Sequence, residues 1–98
     1  MTVIVFNQDA ERELRNAHAW YNQQRQGLGD EFLKAIDDSL ESIRLHPFSF
    51  PLADEVARYA ALKRFPYLIV FHATSTRILV LSVFHTRRKP RTGWSHGL

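Results

Sequence analysis

The sequence gathers its most reactive side chains near its end, where His85 is followed by Arg87, Arg88, Lys89, Arg91 and Trp94. Guanidinium and ammonium groups interleaved with an indole suit an anionic partner. Phosphates can sit on the cations and flat bases on the ring, or an acidic protein segment can meet the positive field. The alternative for the four cations is a solvated tail. Trp94 bears on that choice, because a large apolar ring in a polar segment either folds back onto the body or awaits a partner. If it folds back, the arginines are held beside Arg64 and Arg58 as one cationic face. His85 ends an apolar run, so it either packs and caps a strand or carries protons. The remaining histidines, His18, His46, His72 and His96, show no ligand spacing, and neither a metal site nor a cofactor is expected.

The charge distribution points the same way. All ten Asp and Glu lie at or before Glu55, where five Lys and Arg leave a balance of −5. From Val56 onward eight Lys and Arg stand against no acid, a balance of +8. Such asymmetry between halves marks a basic surface aimed at something anionic. A blander origin is that helices collect acids and strands do not. Half of the chain being acidic weakens a third reading, a general nucleic-acid-binding module.

Ninety-eight residues at 45% hydrophobic content make one globular domain, spanning 1–98. The absence of cysteine excludes disulfide and thiolate chemistry and fits a reducing compartment. No apolar run reaches the roughly 18 residues of a membrane span, and the N-terminal run is too short for a signal peptide. The expectation is a cytoplasmic protein with no membrane partner.

The elements that must position these residues follow from periodicity. Thr2 to Phe6 is a β-branched run and reads as a strand. Asn7 is a helix N-cap, and Ala10, Leu14, Ala17 and Tyr21 form one stripe of a helix from Gln8 to about Gln26, broadened by Trp20. Gly27-Leu28-Gly29 ends that helix. Asp30 and Glu31 open a second one, with Phe32, Leu33, Ile36, Leu40 and Ile43 on one face, which His46-Pro47 stops. Val56 to about Arg64 reads as a basic strand. Two apolar runs around Ala73-Thr74-Ser75-Thr76 read as a hairpin buried on both faces. The order is β-α-α-β-β-β, an α+β fold with a helical hairpin packed on a small, mostly antiparallel sheet. If His72 and Arg77 flank the turn, Val70 lies opposite Leu79, Leu68 opposite Leu81, and His85 points back towards Arg64.

An ordered set of residues resembles the ParE-type branch of the RelE/ParE toxin superfamily over nearly the whole chain. It comprises Ala10, Leu14 and Trp20-Tyr21; Gly27-Leu28-Gly29-Asp30-Glu31-Phe32; Pro47; Arg58; Arg64-Phe65-Pro66-Tyr67; and His85 with Arg87-Arg88-Lys89-Pro90 and Trp94. The resemblance implies the toxin half of a type II toxin–antitoxin pair, inhibited by a cognate antitoxin. ParE-type toxins inhibit DNA gyrase, whereas RelE-type relatives cut messenger RNA in the ribosome.

These branches need different side chains. RNA cleavage through 2′-OH attack requires a base, an acid and cations around the phosphorane-like transition state. RelE-type toxins supply lysines, arginines and a C-terminal tyrosine. Here no tyrosine follows Tyr67, and Lys63 is the one lysine after the loop before the tail. By resemblance to relatives that use a carboxylate, an arginine and a histidine, Glu55, Arg58 and His85 form the alternative catalytic trio. The leading expectation is gyrase inhibition by binding, with Arg58, Arg64, His85, Arg87, Arg88, Lys89, Arg91 and Trp94 forming the partner surface.

Overall fold

A computed structural model describes residues 2–88 and Trp94. Strand β1 (Val3–Phe6) leads into helix α1 (Gln8–Gln24) and helix α2 (Leu28–Leu45). A 3-10 turn (Pro47–Ser49) precedes β2 (Arg58–Ala61), β3 (Tyr67–Ala73) and β4 (Arg77–His85). The sheet order is β1-β4-β3-β2, with β1 parallel to β4 and the other pairs antiparallel. The α+β architecture and the β-α-α-β-β-β order agree with the sequence reading.

Local chemistry explains the helix ends. The Asn7 side-chain oxygen accepts from Ala10 N at 2.8 Å, capping α1, and Asp9 and Glu11 complement the dipole of its first turn. Gly27 adopts φ 87°, which only glycine takes without strain, and so turns the chain between the helices. Helix α2 starts at Leu28, earlier than expected, and Gly29 lies inside it against α1. A Cβ on Gly29 would stand 2.4 Å from the His18 carbonyl oxygen, while its amide donates to Asn22 Oδ1 at 2.7 Å. Gly29 therefore sets how closely the two helices approach.

The helices cover one face of the sheet. Ala10, Ala17, Tyr21, Phe32, Ile36 and Ile43 pack on Ile69, Phe71, Ile78, Val80 and Val83. The rings of Tyr21, Phe32, Phe65 and Tyr67 meet with centroids 5.1 to 6.2 Å apart, so Phe65-Pro66-Tyr67 is part of the scaffold. The opposite face buries Ala57, Val70, Leu79 and Leu81, with Tyr59 and Trp94 packed against them.

Three expectations need correction. The hairpin register is displaced. Phe71 faces Val80, His72 faces Leu79, and Tyr67 rather than Arg64 lies opposite His85. The hydroxyl oxygen of Thr74 accepts from Arg77 N at 3.1 Å and Thr74 N donates to Arg77 O at 2.8 Å, so the turn centres on Ser75-Thr76, one residue later in the chain than expected. Strand β2 also stops at Ala61 instead of running to Arg64. Leu62 N already bonds Tyr67 O at 3.0 Å, and Arg64 turns the chain at φ 71°. Finally, Trp20 is 54% exposed and does not broaden the buried stripe of α1.

A bulge in β4 matters most for the site. Val70 pairs with Ser82 but Phe71 pairs with Val80, so Leu81 is an extra residue. Before it, Ile78 and Val80 face the helices. After it, the alternation is inverted, and Val83 faces them while Phe84 meets Trp94 on the other side. The same inversion carries His85 to the α1 side.

Candidate functional site

Strand β1 is shorter than β4, and this difference shapes the site. Beyond the Phe6–Val80 pair, no strand among the described residues lies beside the edge of β4. Helix α1 crosses there instead. Glu13 Oε1 accepts from Ser82 Oγ at 2.8 Å and from Val83 N at 3.1 Å, supplying the acceptor that a neighbouring strand would have provided. Ser82 is fully buried by this arrangement.

Next to this contact, α1, the start of β3 and the end of β4 enclose a cleft of about 460 Å³. Asn16, Ala17, Trp20 and Tyr21 line one wall, Tyr67 and His85 the floor, and Arg87 and Arg88 the exit. The His85 ring stands edge-on to Tyr67 at 4.9 Å. Arg87 N donates to His85 Nδ1 at 3.1 Å, Arg88 N to His85 O at 3.0 Å, and Thr86 N to Pro66 O at 2.8 Å. An imidazole whose Nδ1 accepts a bond carries its proton on Nε2, so His85 offers the cleft a donor. Burial pushes the Tyr67 hydroxyl above its ordinary value, Tyr21 adds to this, and Arg88 opposes it. The phenol therefore stays protonated at neutral pH. Among the described residues, no carboxylate lines the cleft.

The residues singled out from the sequence do not form one surface. Arg58 Nη1 donates to the Phe50 carbonyl at 2.7 Å and its guanidinium lies 5.7 Å from the Phe48 ring centroid, so it pins the loop before β2. Glu55 is exposed at a turn where Asp54 Oδ1 accepts from Val56 N and Ala57 N. Arg58 aligns with Phe71 across β2 and β3, whereas His85 aligns with Tyr67. That is four residues, or about 13 Å, along the strands. Glu55, Arg58 and His85 thus do not converge. Arg64 turns towards α2, where its guanidinium bonds Glu31 at 2.9 Å. Of the predicted cationic face, the structure brings together His85, Arg87 and Arg88. Trp94 folds back onto Phe84 with ring centroids 5.3 Å apart. Lys89 and Arg91 lie outside the described residues. Among the described residues, no group of three His, Asp or Glu could hold a metal ion, and no helix is long and apolar enough to cross a membrane.

Reading by sequence missed Glu13, Asn16 and Trp20 as site residues. For Glu13 a signal existed. It falls between Ala10, Leu14 and Ala17 at helical spacing, an acid beside the buried stripe of α1.

The Glu31 cluster gives a pH dependence. Hydrogen bonds from Arg64 and then Arg25 hold its carboxyl below the ordinary 4.5. A depressed carboxyl contributes stability that is complete above its unfolded value and is lost as pH falls through its folded value. Glu31→Gln is expected to flatten the decline of unfolding free energy between roughly pH 5 and pH 3, measured by urea denaturation at each pH. Identical acid slopes for the two proteins would contradict this. The change is small, since exposed ion pairs contribute little, and Glu41, similarly lowered by Arg44, keeps its own part.

A solved chain from "Chromosomal ParDE TA system from P. aeruginosa" shares the fold at a TM-score of 0.65 and 19% identity, over 89% of this chain and 98% of that one. A search of the curated proteins finds no match. The family model described as "ParE toxin of type II toxin-antitoxin system, parDE" matches residues 4–90, from β1 through the bulged β4 to the arginines that follow it, and the chain belongs to that family.

Proposed function

We propose that this toxin inhibits DNA gyrase by binding it, performs no chemistry of its own, acts in the cytoplasm and is neutralised by a cognate antitoxin. Family membership supports the toxin role and the antitoxin partner. The observation that carries the non-enzymatic reading is the fate of the alternative trio. Arg58 sits about 13 Å along the strands from His85 and is committed to the Phe50 carbonyl, Glu55 lies in the exposed turn before β2, and the His85 acceptor nitrogen is taken by Arg87 N. General acid–base catalysis needs its groups within hydrogen-bond reach of one reacting centre, and these three do not share one. His85, Arg87 and Arg88 form the cationic part of the surface offered to a partner. A translation reaction programmed with a defined messenger, its fragments mapped by primer extension, tests the point. The messenger should stay intact in the presence of the toxin. Ribosome-dependent cuts that disappear in His85→Ala would overturn the reading.

A further inference from the structure

We propose that the cleft between α1 and the end of β4 binds a nucleotide, with its base on the Trp20 indole and its phosphate on His85, Arg87 and Arg88. The electrostatics are one-sided. Arg12, Arg15, Arg25, Lys34, Arg44 and Arg64 each pair with an acid, whereas Arg87 and Arg88 have no acidic partner among the described residues. Glu13, which like Arg88 lies within electrostatic reach of Tyr67, is occupied by Ser82 and Val83. His85 adds its Nε2–H, because its other nitrogen accepts from Arg87 N. Arg87, Arg88 and His85 all line the cleft and all are donors, and three donor groups suit the oxygens of a phosphate.

The aromatic wall selects what carries that phosphate. Trp20 is 54% exposed at the cleft, and Tyr21 stands beneath it edge-on at 5.0 Å and 79°, fixing the indole plane. Every nucleobase has a face that can stack on such a ring. The volume of about 460 Å³ falls within the range of small-ligand sites, about 300–1,000 Å³. The stacking ring lies on α1, and the three donors lie on and just after β4. The Leu81 bulge is what brings His85 to the side of Trp20.

The test is a fluorescence titration of the full chain carrying Trp94→Phe, so that emission comes from Trp20. Adenosine monophosphate, adenosine, inorganic phosphate, a short single-stranded oligonucleotide and an Asp/Glu-rich peptide are added separately. Adenosine monophosphate should quench the emission saturably and bind at least about tenfold tighter than adenosine or phosphate alone, as two joined contacts should. The Arg87→Gln/Arg88→Gln double variant should bind the monophosphate no better than adenosine. Trp20→Leu, followed by equilibrium dialysis, should bind it about 5- to 150-fold more weakly. Circular dichroism checks that each variant is folded. An oligonucleotide that binds more tightly than the monophosphate identifies a strand as the ligand, and equal affinity identifies a free nucleotide. The proposal is overturned if the monophosphate binds no better than phosphate. It is also overturned if only the acidic peptide binds in an Arg87- and Arg88-dependent way, or if nothing saturates.

Discussion

Phe32→Ala is expected to destabilise the domain by about 3–5 kcal/mol. Phe32 is fully buried, and its ring touches Tyr21 at 5.2 Å, Phe65 at 5.4 Å and Tyr67 at 5.1 Å. Truncation removes the ring from water-free contact and leaves a cavity between α2 and β3 that rigid neighbouring rings cannot close. Small domains hold roughly 5–15 kcal/mol in total, so the variant sits near the limit of folding. Urea denaturation should show a large fall in midpoint at unchanged slope. A loss below about 1 kcal/mol would mean that the aromatic cluster collapses around the gap. The same cluster holds Tyr67 beneath the cleft, so Phe32→Ala should also loosen the site at temperatures where the fold survives.

The second large effect is at Glu13. Its carboxylate accepts from a fully buried serine and from a strand amide that no neighbouring strand serves. Glu13→Ala leaves both donors under α1, and at roughly 1–3 kcal/mol for each stranded donor the cost should be about 2–6 kcal/mol. Glu13→Gln keeps an acceptor oxygen and should recover about half of it. Combining Glu13→Ala with Ser82→Ala removes one donor along with its partner, so the double variant should be more stable than the sum of the single effects implies. Strictly additive losses would show that Ser82 and Glu13 do not share a bond. Amide exchange at Val83 should quicken in Glu13→Ala as well.

These two residues show what could and could not be read from the chain. Phe32 was legible. Its spacing with Ile36, Leu40 and Ile43 defines the buried face of α2, and periodicity depends on local geometry alone. The long run Ile78 to Phe84 was legible as a strand buried on both faces because it is apolar almost without a break. Its bulge was not, because Val80-Leu81-Ser82-Val83-Phe84 offers a small or apolar residue at either parity, so no alternation betrays a slipped register. That slip decides which side His85 faces. The trio does not converge because Arg58 lies four residues along the strands from His85, and the single cationic face divides because Arg58 and Arg64 are bonded elsewhere. Arg58 and Arg64 share a sequence parity, but they do not share a strand. Arg64 lies in a left-handed turn held to Glu31, and Arg58 is spent on the loop before β2. Charge counting recorded both as cations facing a partner, although one is bonded to a carbonyl and the other to a carboxylate.

The basic C-terminal half therefore divides into cations that hold the fold and a smaller group, His85 with Arg87 and Arg88, presented beside exposed Trp20. A toxin that acts by binding needs a rigid platform for such a group. The two-sided core under β3 and β4 and the Glu13 clasp provide one.

A supercoiling assay with purified gyrase, relaxed plasmid and ATP decides whether the protein inhibits gyrase. Supercoiling should be lost as the toxin is titrated and recovered on adding the cognate antitoxin, with a markedly weaker effect for Arg87→Gln/Arg88→Gln. Full supercoiling activity at saturating, folded toxin would contradict it.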